Sequence, residues 1–120
     1  MNPKRLCETD YRFMTVIWET EPVTSARLVE LCEERFGWKR STTFTMIKKL
    51  CEKGFAQSER AVVTSLIPRE QVQAQETELF MNQTFGGSLP RFLTAFFSGR
   101  TISEREAEEL KRLIDEHKEG

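Results

Sequence analysis

From Lys39 to Phe55 the chain reads Lys-Arg-Ser-Thr-Thr-Phe-Thr-Met-Ile-Lys-Lys-Leu-Cys-Glu-Lys-Gly-Phe, a segment that leaves few folds open. At about 100° per residue, Thr43, Met46, Ile47, Leu50 and Cys51 share one face of a helix. Ser41, Thr42, Thr45, Lys48 and Lys49 share the opposite face, and Phe44 lies at the boundary. A helix from Ser41 to Lys53 must therefore bury one side in a core and turn short hydrogen-bonding groups and cations outward. Gly54 ends it, and Phe55 is placed to fold back on the core.

The flanking sequence supplies the partners for that buried face. Cys7, Tyr11, Met14 and Trp18 follow helical spacing, with Phe13 and Ile17 widening the stripe, so a first helix is predicted over Glu8 to Thr20. Glu21-Pro22 stops it, because a residue before proline is pushed out of the α region. Thr24 or Ser25 then caps a second helix with Leu28, Leu31, Cys32 and Phe36 on its apolar face, and Gly37 closes it. Beyond Gly54, Phe55–Glu59 and Val62–Ile67 read as two strands around a turn at Arg60-Ala61. Three helices followed by a hairpin is the order of a winged helix-turn-helix.

After Pro68 the sequence is helical and different in character. Arg69 to about Thr84 carries Val72, Leu79, Phe80 and Met81 and is broken by Phe85-Gly86-Gly87. Ser88-Leu89-Pro90 starts a helix with Phe92, Leu93, Phe96 and Phe97, and Ser103 opens a capping box with Glu106 before Ala107, Leu110, Leu113 and Ile114. Three short helices cannot enclose so many large apolar side chains, so they either dock on the N-terminal module or pair with a second copy; pairing is favoured, because exposed patches of that size usually mark an interface. The fold class expected is mainly α with a small β-hairpin. A DNA-binding domain would occupy residues 1–68 and a helical dimerisation domain residues 69–120.

Charge and composition narrow the function classes. The formal net charge of the 120 residues is −1, but residues 1–69 balance at +3 and residues 70–120 at −4. Within residues 36–60, Lys39, Arg40, Lys48, Lys49, Lys53 and Arg60 face only Glu52 and Glu59. Phosphates respond to such a local basic face rather than to the total. Cys7, Cys32 and Cys51 are an odd number without a Cys-x-x-Cys pair, each on an apolar stripe, and are expected as small buried thiols. The single histidine is His117, so a Cys/His zinc cluster or a histidine-dependent nucleophile lacks its parts. No phosphate-binding glycine loop is present. An enzyme, a metal site and a cofactor are therefore not expected. No apolar run reaches the roughly 18 residues of a bilayer span, and Met1–Arg5 does not open a signal peptide, so the expectation is a cytoplasmic chain without a membrane partner.

Several features in order resemble the penicillinase-repressor family, which includes methicillin-resistance and copper-responsive repressors. They are Val16-Ile17-Trp18 with Pro22 after it, Gly37-Trp38, and Thr42-x-x-Thr45-x-Ile47-x-x-Leu50-x-x-Lys53-Gly54-Phe55. Phe85-Gly86-Gly87-Ser88 and Ile102-Ser103-x-x-Glu106-x-x-Glu109-Leu110 continue the match, which spans about residues 8–117. The resemblance implies a winged-helix transcriptional repressor that binds a dyad-symmetric operator and dimerises through its C-terminal helices. Three departures stand out. Thr43 occupies a position where the family carries a branched aliphatic residue, which predicts looser packing there. The hairpin between Gly54 and Pro68 is about two residues shorter than usual. Ala95-Phe96 stands where the β-lactam branch is cleaved at Asn-Phe, and no cysteine follows Cys51, so neither proteolytic induction nor the copper branch's cysteine site is implied.

On this reading the Ser41–Lys53 helix enters the major groove of double-stranded DNA. Arg40, Lys48 and Lys49 would neutralise phosphates, while Ser41, Thr42 and Thr45 approach base edges, where a threonine methyl or Phe44 can meet a thymine methyl. Arg60 is the hairpin's candidate contact, and the amide ends near Thr24 and Ser25 are a candidate phosphate site. A homodimer would form through Phe80, Phe85, Leu89, Phe92, Leu93, Phe96, Leu110, Leu113 and Ile114. A regulatory protease or sensor protein would be a further partner. Two other classes remain open: a winged-helix protein adaptor that does not bind DNA, and a cysteine-based redox or metal-sensing regulator.

Overall fold

The computed structural model describes residues 5–119, and the chain divides into two compact units at Thr77/Glu78. The N-terminal unit runs α1 (Glu8–Thr20), β1 (Val23–Thr24), α2 (Ser25–Phe36), α3 (Arg40–Glu52), β2 (Ala56–Glu59), β3 (Val62–Ser65) and the start of α4 (Arg69–Phe85). The helices enclose one core around Phe13, Met14, Ile17, Leu28, Leu50 and Phe55, which Val63 and Val72 complete from the sheet and from α4. Gly37 ends α2 at φ 70°, the left-handed cap that glycine adopts without steric cost. This is the expected winged helix-turn-helix.

The hairpin is part of a larger sheet than the sequence suggests. Val23 and Thr24, directly after Pro22, add a third antiparallel strand in the order β1-β3-β2, with Val23 opposite Val63. Two residues carry no alternation to read, so this strand had no signal of its own. Glu21 anchors the same corner, its carboxylate accepting the Ser65 N–H at 2.7 Å and the Ser65 hydroxyl at 2.8–2.9 Å. Trp18 Nε1 donates to Ile67 O at 3.0 Å, tying α1 to the chain that leaves the sheet.

Two details correct the sequence reading. Cys32 is buried and Cys51 half-buried, but Cys7 is exposed, because it occupies the N-cap of α1 rather than the inward stripe. Burial pushes the Cys32 and Cys51 thiols up. Thr43 is not loosely packed: it has no exposed surface, and the consequence of the hydroxyl is a buried Oγ1 without a hydrogen bond of standard geometry.

The C-terminal unit holds the rest of α4, α5 (Leu89–Phe96) and α6 (Glu104–His117). Ser88 and Ser103 cap α5 and α6, accepting the N–H groups of Arg91 and Glu106. Phe80, Phe85 and Phe92 form an edge-to-face triangle with centroids 5.6–6.3 Å apart, which Phe96 extends. None of the described residues in this unit is fully buried.

The β2–β3 turn stores strain that can be relieved. Arg60 and Ala61 both lie at positive φ, 52° and 62°, as a two-residue turn of this hand requires, although neither is glycine. A left-handed L-residue costs about 1–2 kcal/mol, part of which glycine returns as unfolded-state entropy. Ala61→Gly is therefore expected to raise stability by roughly 0.5 kcal/mol in urea denaturation; an unchanged or lowered midpoint would show the turn to be unstrained.

Candidate nucleic-acid interface

The outward face of α3 is built by the burial of its inward one. Thr43, Met46, Ile47 and Leu50 are buried against α1 and α2. With 3.6 residues per turn that burial forces Ser41, Thr42, Thr45, Lys48 and Lys49 to the surface, where all five lie exposed. Lys39 and Arg40 are exposed at the helix start, and Glu52, the one acid of α3, sits in its last turn. The middle of the face is thus hydroxyls flanked by cations.

Phe44 is more exposed than a residue sealing a core edge, with 39% of its surface open. The Arg40 guanidinium lies 5.0 Å from the ring centroid, a cation–π contact along one helical turn. Arg40, Phe44 and Lys48 form one i, i+4 row on the flank of the face.

On the other flank, Lys49 is not an isolated cation. Its Nζ stands 2.8 Å from Oδ1 of Asp10, and Lys53 Nζ stands 2.9 Å from Oδ2 of the same carboxylate. Asp10 has no exposed surface and also accepts the Cys7 N–H at 3.4 Å, closing the capping box of α1. Burial alone would raise its pKa; Lys49, Lys53 and the Cys7 contacts outweigh it and hold it at about 2. The same contact raises the Lys49 pKa. Lys49 remains 43% exposed, so the ammonium presents donors to solvent while one side is engaged. Sequence reasoning missed Asp10. Its signal was present: an acid on the core stripe of α1, three residues after the cap position.

The remaining candidates separate. Arg60 is exposed at the tip of the β2–β3 turn, which the Ser25 N–H binds through Ala61 O at 2.9 Å. That bond, and the Arg27 N–H donated to Thr24 Oγ1 at 3.1 Å, occupy two amides in the first turn of α2. The proposed phosphate site there is consequently left with fewer donors than its position suggests. In the C-terminal unit Phe80, Leu89, Phe96, Leu113 and Ile114 are exposed, and Phe85, Phe92, Leu93 and Leu110 are half-buried. Among the described residues no three His, Cys, Asp or Glu side chains gather as a metal site requires, and no helix is long and apolar enough to cross a membrane.

Residues 6–116 match the protein family described as Penicillinase repressor. The chain is 21% identical over 114 residues to the methicillin resistance regulatory protein MecI of Staphylococcus aureus, covering 92% of this chain and 93% of that protein. It is 22% identical over 118 residues to the penicillinase repressor of Bacillus licheniformis, covering 95% and 92%. A Latilactobacillus sakei protein known as an uncharacterized 16.5 kDa protein in the ptsI 3′ region is 24% identical over 117 residues, covering 94% of this chain and 80% of its own length.

The Asp10 cluster has a definite pH signature. A carboxyl held near 2 against an ordinary value of 3.8 contributes about 2 kcal/mol of stability. That contribution is complete above pH 4 and is lost as pH falls through 2, since the folded state then has to take up the proton it resists. Asp10→Asn should be less stable than the parent by about that amount at pH 7, with the gap closing between pH 4 and pH 2 in urea melts. A gap independent of pH would show that the ion pairs do not stabilise the fold.

Proposed function

The chain belongs to the penicillinase repressor family of transcriptional repressors, which are not enzymes, and on that premise we propose that it binds a dyad-symmetric operator as a homodimer with α3 in the major groove. One observation carries the reading: α3 turns three hydroxyls and its cations to solvent while its apolar face is consumed by the core. Major-groove readers need that division, because the helix must be held rigidly from behind and be narrow in front.

Roles follow from reach and charge. Lys48 and Arg40 take phosphates on one flank, and Lys49 takes one on the other with the donors Asp10 leaves it. Ser41, Thr42 and Thr45 are short enough to let the helix approach base edges and bond to them. Arg60 adds a wing contact to the backbone, and the α2 terminus at Thr24 and Ser25 makes at most a minor one. Neutralising a few phosphates gives weak binding at physiological salt, so a second copy is required to bring the affinity into a useful range.

The C-terminal unit fits that requirement. Phe80, Leu89, Phe96, Leu113 and Ile114 leave apolar surface open, and the unit has no fully buried residue of its own. Pairing two copies through these residues and the half-buried Phe85, Phe92, Leu93 and Leu110 would supply the missing burial. Two α3 helices would then meet half-sites one duplex turn apart, and the acidic balance of residues 70–120 would keep phosphates away from the dimer body. Repression would be steric.

Mobility-shift titration against a duplex selected from a random pool tests this directly. Lys48→Ala should weaken binding to every sequence and reduce the salt slope by about one per half-site. Salt-independent retention, or none, would instead favour a protein adaptor. Truncation after Thr77, which keeps Val72 in the core, should leave a folded monomer binding roughly 100-fold more weakly. Unchanged affinity for that fragment would remove the dimer from the argument.

A further inference from the structure

Phe44 is the residue on the exposed face of α3 that neither core packing nor phosphate binding accounts for. Its ring is left 39% open on a helix face that otherwise carries hydroxyls and cations. It is also ordered. The Arg40 guanidinium covers it at 5.0 Å from one turn before, and Lys48 follows one turn after in the same row. A cation–π contact engages the ring without using up the guanidinium's N–H donors, so Arg40 stays available to an anion.

We propose that Phe44 is a specificity-determining residue for DNA, reading the 5-methyl group of a thymine in each half-site, with Arg40 as the positioning residue that fixes the ring. The proposal rests on the reading of α3 as the major-groove helix and says what one position in that groove must contain. The thymine methyl is the apolar feature that the major groove offers, and an apolar contact to it is the form of readout an aromatic side chain can supply. The row supports the same geometry. A cation at each end suits the phosphates that border the groove, and the ring between them falls over the base edges. The flank bearing Lys49 lacks such an apolar group, so the methyl contact is confined to one side of each half-site.

The contact is tested by removing the methyl instead of the base pair. A duplex selected from a random pool by the full-length protein is resynthesised with deoxyuridine replacing each thymine in turn, and binding is measured for the parent, Phe44→Ala and Phe44→Leu. For the parent, deoxyuridine in one half-site should weaken binding by about fourfold, the value of one buried methyl group, and in both half-sites by about 15-fold. Phe44→Ala should be insensitive to the same replacement, with an unchanged salt slope, and Phe44→Leu should recover part of the sensitivity. Arg40→Gln should lower the salt slope and reduce the deoxyuridine effect together, since it removes both the charge and the cation–π contact. Equal deoxyuridine sensitivity in the parent and Phe44→Ala would overturn the assignment while leaving the major-groove reading intact. Failure of the parent to bind any selected duplex would instead overturn that underlying reading, and this inference with it.

Discussion

A carboxylate without exposed surface, Asp10, binds two ammonium groups at the C-terminal end of α3, Lys49 and the cap residue Lys53, and ties down the end of a helix whose outward face is set by burial of its inward one. A buried ion pair adds little to net stability when compared with an apolar pair, because desolvation offsets much of the attraction. Its directional consequence is larger. Lys49 and Lys53 lie one turn apart and meet the two oxygens of one acid at 2.8 and 2.9 Å, so a rotation or slip of this end of α3 would draw at least one ammonium away from the carboxylate. Apolar packing alone tolerates such slips far better, since it is not directional. The same acid closes the capping box of α1, and the start of one helix is thereby joined to the end of another.

From that junction outward, the N-terminal unit is braced by polar contacts at its edges and by apolar burial at its centre. Glu21 holds β3 through Ser65, Ala61 O holds the start of α2, and Trp18 holds the exit of the sheet. Each bond joins segments that helical or strand ladders leave free. The hairpin holds its place under these conditions although Arg60 and Ala61 adopt left-handed conformations. The strain at that turn is tolerated because the bond from Ser25 and the β1–β3 pairing determine its position from outside.

The periodicity of the sequence was sufficient for the six helices and for the buried and exposed sides of α3, where Thr43, Met46, Ile47 and Leu50 are inside as helical spacing requires. It was insufficient wherever an interaction joined residues far apart in sequence. Asp10 stands on the core stripe of α1, but its partners Lys49 and Lys53 come from a distant helix end that no local pattern names, and β1 is too short to show a pattern. Cys7 falls on the apolar stripe by spacing, yet the stripe begins after it, because a cap residue has not entered the helix. Phe44 was legible as a boundary residue, but the Arg40 contact that orders it depends on rotamers that no periodicity encodes.

The two units meet the problem of burial in opposite ways, which bears on how a repressor of this size can be assembled. The N-terminal unit encloses Phe13, Ile17, Leu28, Leu50 and Phe55 and has a core of its own. The C-terminal unit spends its aromatic residues on a cluster of edge-to-face contacts and leaves Leu113 and Ile114 about half exposed. Burying a side chain of that kind is worth roughly 1.5–3 kcal/mol, so the apolar surface left open there is a store of free energy that the proposed pairing of two copies would draw on. On the proposed function, a chain built this way would separate reading from pairing. Mutations on α3 would alter which bases are preferred without changing how two copies join, and the C-terminal surface would tune affinity through the dimer without touching the groove.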